Sequence, residues 1–212
     1  MVNLRNKKVL ITAGPTWVAL DKARVISNIA TGETGFTLAH KFKKAGFEVT
    51  LLLGPGNFCG SYSGIKIMRF KYFSELAQLL KKELKTKRYY AVIHAAAVVD
   101  YQPKKVIPGK IDSHLKSLRI DLVPAKKLIN DFRKNNPELF SVGFKFDPDA
   151  NTQRLLTKGR ALLKQADLNL VVANSFKNKI YRAYILGQGH KYGPFLSKTK
   201  MASGLVKLLG KN

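Results

Sequence analysis

Cysteine and acidic residues are scarce in this sequence of 212 residues. The single cysteine, Cys59, excludes an internal disulfide and a zinc site built from several thiolates. No run of about 18 apolar residues occurs, so no segment has the character of a transmembrane helix. The first residues also lack the apolar stretch and cleavage site of a signal peptide. These absences predict a cytoplasmic protein without a membrane partner.

The shortage of acidic residues gives the chain a net charge of +25, from 38 Lys and Arg against 13 Asp and Glu. A charge of this sign and size attracts polyanions. Three explanations stay open: a nucleic-acid partner, phosphorylated small molecules, or a basic bias that only keeps the surface soluble. The basic residues are scattered rather than gathered in one tail or block, so nucleic acid is the least favoured of the three.

Apolar, β-rich runs alternate with segments of helical period along the sequence, which is the pattern of an α/β fold. Because these runs are continuous rather than alternating, they favour a mostly parallel sheet covered by helices on both faces. We predict one Rossmann-like, three-layer domain over residues 1–212. The predicted strands are Val9 to Thr12, Glu48 to Leu53, Ile65 to Phe70, Ala91 to Ala95, Leu118 to Leu122, Phe140 to Phe144, Leu168 to Ala173 and Tyr181 to Leu186.

The segment from Tyr101 to Lys116 interrupts this pattern. It contains Pro103, Pro108 and Gly109 and has no clear period. We predict that it leaves the sheet as a loop or a short hairpin.

The first predicted strand leads into a long, glycine-containing connection. Gly14 lets the backbone turn directly after the strand, and Thr31, Gly32 and Gly35 lie where the first helix opens. Small residues at a helix N-terminus leave amide N–H groups facing a ligand, which favours phosphate. The pattern is neither G-x-G-x-x-G nor a Walker A loop, so a plain helix cap remains the alternative.

A second turn of small residues follows the strand that ends near His94. Ala95 and Ala96 would let a flat ring or a sugar approach the backbone. Asp100, at the rim, could bind a ribose hydroxyl or a divalent cation. The alternative is a tight sheet–helix contact with Asp100 capping a turn.

Several short motifs occur in a fixed order: TAGPT, SNIATGETG, AAAVVDYQP, GKI, VGF, VVAN and a late SK. In this order they resemble the synthetase domain of the bacterial phosphopantothenate–cysteine ligases over nearly the whole chain, in the stand-alone form without a decarboxylase domain. The resemblance implies an enzyme of coenzyme A synthesis that uses CTP and Mg²⁺ to activate 4′-phosphopantothenate as an acyl-cytidylate. The amine of cysteine then displaces CMP. A homodimer joined through residues 101–116 is also implied.

The resemblance further assigns roles to single residues. Asn28 would bind the acyl-nucleotide and stabilise its oxyanion when the amine attacks, and Lys110 would hold the nucleotide and its developing charge. A helix N-cap is the alternative for Asn28, and an ordinary surface lysine is the alternative for Lys110. Asn174 would be a further substrate-binding residue, and Asp100 the candidate metal ligand. The implied nucleotide-binding residues are Gly14, Thr31, Gly32, Gly35, His94, Ala95, Ala96, Asp100, Lys110, Lys126, Lys127, Phe144, Arg160 and Lys164.

Two of these matches carry open alternatives. Phe144 would equally suit a core position, and Arg160 with Lys164 would suit a solvated helix face. The match to Arg160 and Lys164 also requires two extra residues before VVAN.

The sequence departs from the family pattern at three places. Glu33 stands where the family usually has a basic residue, Ser175 replaces an Asp, and residues 125–128 lack the family's acid and contain two lysines instead. A diverged, non-catalytic nucleotide-binding relative is therefore the main alternative to the ligase, ahead of a basic nucleic-acid-binding protein.

Overall fold

The protein is described here by a computed structural model that covers residues 7–56, 60 and 62–211, which leaves Cys59 outside the described residues. The elements follow one another as β1 (Lys8–Ala13), β2 (Trp17–Ala19), β3 (Val25–Ser27), α1 (Glu33–Lys44), β4 (Glu48–Leu53), β5 (Lys66–Arg69), α2 (Phe73–Lys85), β6 (Ala91–His94), β7 (Tyr101–Pro103), β8 (Leu122–Pro124), α3 (Leu128–Asn135), β9 (Phe140–Phe146), α4 (Thr152–Gln165), β10 (Leu170–Lys177), β11 (Ile180–Gly187), β12 (His190–Phe195) and α5 (Lys198–Leu209).

The central sheet has eight strands in the order β12-β11-β10-β9-β6-β1-β4-β5. The six strands from β10 to β5 in this order run parallel, and β11 and β12 extend the sheet antiparallel. The mostly parallel sheet is therefore confirmed. Beginning at β1, the chain first builds the sheet towards β4 and β5, and later towards β6, β9 and β10. The order thus reverses between β1 and β6, which is the switch point where sheets of this kind bind ligands.

Helices cover both faces of the sheet, as the continuous apolar strands predict. In β1, Val9 and Ile11 belong to the core under α1 and α5, whereas Leu10 belongs to the core under α2 and α3. Helix α4 packs over β9, β10 and β11. No helix in the described part of the chain has the length and apolar character to cross a bilayer.

Two small two-stranded sheets lie outside the central sheet: β2 with β3, and β7 with β8. The strand predicted from Leu118 to Leu122 is wrong, because only Leu122–Pro124 is extended and it pairs with β7. Arg119 and Asp121 place charges inside that run, and the run is too exposed to join a buried sheet. The excursion predicted for residues 101–116 therefore extends to residue 124.

Candidate functional site

At the switch point the turns after β1 and β6 run side by side, and we call the region that they border the crevice, since sheets of this kind bind ligands there. The Ala97 amide donates to the Gly14 carbonyl oxygen at 2.9 Å, and the Thr16 amide donates to the Ala97 carbonyl oxygen at 3.3 Å. The two small-residue turns found in the sequence are thus hydrogen-bonded neighbours. Several predicted site residues end or follow β3 and β6, follow β1, or lie at the start of α1, next to this region: Gly14, Asn28, Thr31, Gly32, Gly35, His94, Ala95 and Ala96.

The loop after β4 forms a third wall that sequence reasoning missed. A Cβ on Gly54 would lie 2.4 Å from the Pro15 carbonyl oxygen, and a Cβ on Gly56 would lie 2.5 Å from the Thr31 carbonyl oxygen. Both approaches are too close for any side chain, so the Gly-Pro-Gly sequence lets this loop pack against the crevice turns. The Gly-Pro-Gly tripeptide directly after a predicted strand is the sequence feature that could have indicated this close packing.

Helix α1 begins against the end of β1. A Cβ on Gly35 would lie 2.2 Å from the Ala13 Cβ, so only glycine permits this packing distance. The N-cap residue, Gly32, has φ 83° and offers no side chain to the first-turn amides. Thr31 Oγ accepts from the Glu33 amide at 3.3 Å. The next amides of the first turn therefore have no capping side chain and can receive an anion.

His94 is the last residue of β6, and its buried side chain contacts Thr12 of the neighbouring strand β1. Its Nδ1 lies 2.9 Å from the Thr12 hydroxyl, and the same hydroxyl accepts a hydrogen bond from the Ala96 amide at 3.1 Å. Desolvation lowers the pKa of His94 from its ordinary 6.5 to about 4, so the ring is neutral at physiological pH. A second buried hydroxyl, that of Thr16, accepts from the Val99 amide at 3.1 Å. Both threonines support the β6 turn, and neither was singled out in the sequence.

The buried His94 predicts an acid-labile contribution to stability. The unfolded ring binds a proton below its ordinary pKa of 6.5, whereas the folded ring resists protonation until about pH 4. The contribution is therefore present above pH 6.5 and is lost as the pH falls towards 4, by about 3 kcal/mol in all. We expect His94→Gln to remove this part of the pH dependence in urea unfolding measured from pH 4 to 7. His114→Gln, in the exposed excursion, should retain it. Parallel stability curves for wild type and His94→Gln would contradict the assignment.

Asn28 follows β3 and bridges the hairpin to the β6 turn. Its Nδ2 donates to the carbonyl oxygens of Val98 at 2.9 Å and Ala97 at 3.3 Å. Because α1 has Gly32 as its N-cap, Asn28 is not a helix cap. The side chain is exposed at the edge of the crevice.

Lys110 is exposed, but the backbone on each side of it is anchored to the turn between β2 and β3. The Lys22 amide donates to the Gly109 carbonyl oxygen at 2.9 Å. The Ile111 amide donates to Asp21 Oδ2, also at 2.9 Å. The excursion therefore holds Lys110 at a defined position next to the β2–β3 hairpin.

Asp21 is the acceptor at the centre of this attachment. Besides the Ile111 amide, it accepts from the Ala23 and Arg24 amides, each at 2.6 Å, and from Arg24 Nη1 at 2.5 Å. The residue is 4% exposed. The Ile111 N–H above all, with the other donors, holds the pKa of Asp21 far below its usual range. In the sequence, only the short spacing between Asp21 and Arg24 could have indicated this role of Asp21.

The predicted lysines of the segment before α3 are both in ion pairs. Lys127 Nζ donates to Asp100, and Lys126 Nζ lies 2.7 Å from Asp131 Oδ2. Side chains of Asp100 and Lys127 are largely exposed. Among the residues that the structure describes, no group of three or more His, Cys, Asp and Glu is arranged to hold a metal ion.

Asn174 and Phe144 lie on neighbouring strands of the sheet face covered by α1 and α5. Phe144 pairs with Val172 and is partly buried against the main core. Asn174 lies two residues further along β10 and is 8% exposed, yet its Oδ1 has no hydrogen-bond partner. A buried oxygen without a donor suits a ligand contact, because such an atom is otherwise costly.

Arg160 and Lys164 are exposed in the second half of α4. At 1.5 Å per residue they lie roughly 12 and 18 Å along the helix from its start at the carboxyl edge of the sheet. Arg154 and Lys158, in the first half, instead bind Asp147 at 3.0 and 2.6 Å. The structure thus does not bring Arg160 and Lys164 to the crevice.

The strand order and the crevice at its switch point define the class of the protein as a Rossmann-like α/β domain. The DNA/pantothenate metabolism flavoprotein C-terminal domain family matches residues 4–211. The chain belongs to this family.

Curated relatives agree with this assignment. The coenzyme A biosynthesis bifunctional protein CoaBC of Borreliella burgdorferi is 33% identical over 97% of this chain, which covers 53% of that protein. The CoaBC of Thermococcus kodakarensis is 33% identical over 82% of this chain and 43% of that protein. The chain thus spans about half the length of these relatives.

Solved structures share the fold. The DNA/pantothenate metabolism flavoprotein from Streptococcus pneumoniae has a TM-score of 0.86 at 22% identity and covers 97% of this chain and 99% of its own. The C-terminal domain of a CoaBC has a TM-score of 0.79 at 22% identity, over 98% of this chain and 96% of its own. A Cab2 mutant in complex with phosphopantothenate-cysteine has a TM-score of 0.77 at 18% identity, over 98% and 87%.

Proposed function

We propose that the chain joins 4′-phosphopantothenate to cysteine in coenzyme A biosynthesis, with CTP as the activating nucleotide. The family membership across residues 4–211 carries this proposal. The similarity to CoaBC proteins of coenzyme A biosynthesis supports the pathway, and the phosphopantothenate-cysteine bound to the Cab2 mutant supports the substrate class.

The proposed chemistry needs no side-chain nucleophile. A carboxylate oxygen of phosphopantothenate attacks the α-phosphorus of CTP, and pyrophosphate leaves. The cysteine amine then attacks the acyl carbon, loses a proton, and CMP departs as the amide forms. The main barrier is repulsion between a carboxylate and a polyphosphate, so fixed positive charge and amide donors are what the protein must supply.

The roles of the crevice residues follow from this requirement. The amides at the start of α1 and the small residues around Gly14 would receive phosphate and nucleotide atoms. Lys110 would neutralise charge on the nucleotide in the first step. Asn28 would act on the acyl-cytidylate in the second, and the unpartnered Oδ1 of Asn174 would accept a hydrogen bond from the substrate.

Mg²⁺ would act mainly as a companion of the nucleotide, where it neutralises phosphate charge. Asp100 is the candidate protein ligand, but its carboxylate is bound by Lys127 and belongs to no cluster of three or more His, Cys, Asp and Glu among the described residues. Nucleotide phosphates and water would therefore provide most of the coordination, as is usual for Mg²⁺.

We propose a homodimer that forms through the excursion, now residues 101–124. Its large apolar side chains are unusually exposed: Tyr101 55%, Val106 55%, Leu115 52%, Leu118 46% and Leu122 46%. Such a concentration of apolar surface is typical of a protein interface. We expect sedimentation to find a dimer at micromolar concentration, and Leu118→Asp to shift it towards the monomer because a charge would be buried. A wild-type monomer under these conditions would exclude this interface.

The activity is tested by measuring pyrophosphate, CMP and amide with each substrate omitted in turn. We expect pyrophosphate to require phosphopantothenate and CTP, and CMP and amide to require cysteine as well. ATP in place of CTP tests the choice of nucleotide. A melting temperature raised by CTP without any pyrophosphate release would instead identify a non-catalytic nucleotide-binding relative.

A further inference from the structure

The N-termini of α1 and α5 are joined by an ion pair that the proposed mechanism does not use. Lys198, the first residue of α5, donates to the carboxylate of Glu33, the first residue of α1, across 165 residues of sequence. The side chains remain 31% and 43% exposed, so the pair is open to solvent and to ligands. Lys198 belongs to the late SK motif, which has no role so far.

The hydroxyl of Tyr181 is buried, and the residue belongs to the core that α1 and α5 share. Tyr181 is 8% exposed and its Oη has no hydrogen-bond partner. It lies near the start of β11, opposite Phe176 of β10, on the sheet face covered by α1 and α5. Burial first, and then the negative charge of Glu33, raises the pKa of Tyr181, so the hydroxyl keeps its proton and stays a donor.

The donors in this region share one chemistry. A lysine ammonium, a phenol hydroxyl and the uncapped amides at the start of α1 are all hydrogen-bond donors. The Glu33 carboxylate is instead an acceptor, and it forms an ion pair with Lys198. A purely structural role in joining α1 to α5 would explain the ion pair. It would not explain why the buried Tyr181 hydroxyl has no acceptor.

We propose that Lys198, the Tyr181 hydroxyl and the first-turn amides of α1 bind a substrate phosphate group, and that Glu33 holds Lys198 until the phosphate displaces it. A phosphate oxygen offers the acceptor that the hydroxyl lacks and a stronger partner for Lys198 than one carboxylate. Glu33 therefore opposes ligand binding, whereas Lys198 and Tyr181 favour it. Only the identity of the phosphate donor, phosphopantothenate or CTP, rests on the proposed function.

The test is titration calorimetry of the full chain with phosphopantothenate, pantothenate and CTP separately. For the ligand whose phosphate occupies the site, Lys198→Gln should weaken binding by about 10- to 100-fold and Tyr181→Phe by about 3- to 10-fold. Glu33→Gln should tighten it by up to about 5-fold, because it removes a competing carboxylate. Lys200→Gln, on the exposed side of the same helix turn, should bind as wild type does.

Two further measurements distinguish a failure of the phosphate site from a failure of the proposed function. Pantothenate, which lacks the phosphate, should be insensitive to Lys198→Gln if phosphopantothenate is the ligand. Inorganic phosphate should shift the Thr34 and Gly35 amide resonances of the wild type but not of Lys198→Gln. If neither substrate binds while phosphate still moves these amides through Lys198, the site stands and the proposed function fails. If Lys198→Gln and Lys200→Gln both match wild type with every ligand, the site is overturned.

Discussion

Asn28→Ala is expected to release pyrophosphate once per active site and then to stall with the acyl-cytidylate bound. In the proposed second step, oxyanion charge develops on the acyl group, and the amide of Asn28 would be its donor. Loss of one such donor typically slows a reaction by on the order of 100- to 1,000-fold, or ~3 kcal/mol. A quenched single-turnover experiment that resolves acyl-cytidylate from amide product measures this directly.

The contacts of Asn28 suggest a competing explanation, in which its side chain only keeps the β6 turn in place. The same experiment distinguishes this structural role from the catalytic one. Its Nδ2 donates to the carbonyl oxygens of Ala97 and Val98, so its loss could instead disorganise the β6 turn. Disorganisation would slow pyrophosphate release as well as amide formation. Wild-type amide formation by Asn28→Ala would eliminate both roles. Ser27→Ala, which removes a neighbouring hydroxyl bonded to the Thr16 carbonyl oxygen, serves as the local control.

Lys110→Gln is expected to slow the first step instead, by about 10- to 100-fold, because the nucleotide loses a charge-assisted hydrogen bond. Pre-steady-state pyrophosphate release with saturating phosphopantothenate measures the effect. The variant should remain folded, since Lys110 is exposed and only the backbone beside it is anchored. Amide formation from acyl-cytidylate supplied in advance should proceed at the wild-type rate.

Lys105→Gln is the matched control for this experiment, because Lys105 is an exposed lysine of the same excursion. It should release pyrophosphate as fast as wild type. Equal rates for Lys110→Gln and wild type would remove Lys110 from the first step. Equal slowing in both variants would mean that the overall charge of the excursion acts, rather than one side chain.

The strands of the central sheet were predictable because their pattern is local. The runs that became β1, β4, β6, β9 and β10 carry apolar residues on both faces, and burial between two helical layers favours that composition. Strand β12 was not predicted because its sequence lacks this apolar pattern. It lies at the edge of the sheet, its residues are exposed, and its sequence HKYGPF contains glycine and proline.

In the candidate site, the places of the small-residue turns were predictable because each turn follows a strand, whereas contacts between side chains distant in sequence were not. Gly14, Ala95 and Ala96 sit in turns whose position follows from the strand before them. The contacts of Asp21 with Ile111 and of Glu33 with Lys198 span 90 and 165 residues. No period or short motif records such a pairing, so only the folded chain reveals that Glu33 has a basic partner.

The packing of α1 against α5 also constrains how the protein can mature during synthesis. Helix α1 shares its core with α5, which follows it in the sequence by more than 150 residues. Until α5 leaves the ribosome, the apolar face of α1 and the adjoining strands β10 and β11 lack part of their cover. A nascent chain would therefore form the crevice turns early but keep an exposed apolar face until α5 emerges. Chaperone binding to stalled chains that end before Lys198 should be strong, and it should fall sharply once Leu209 has emerged.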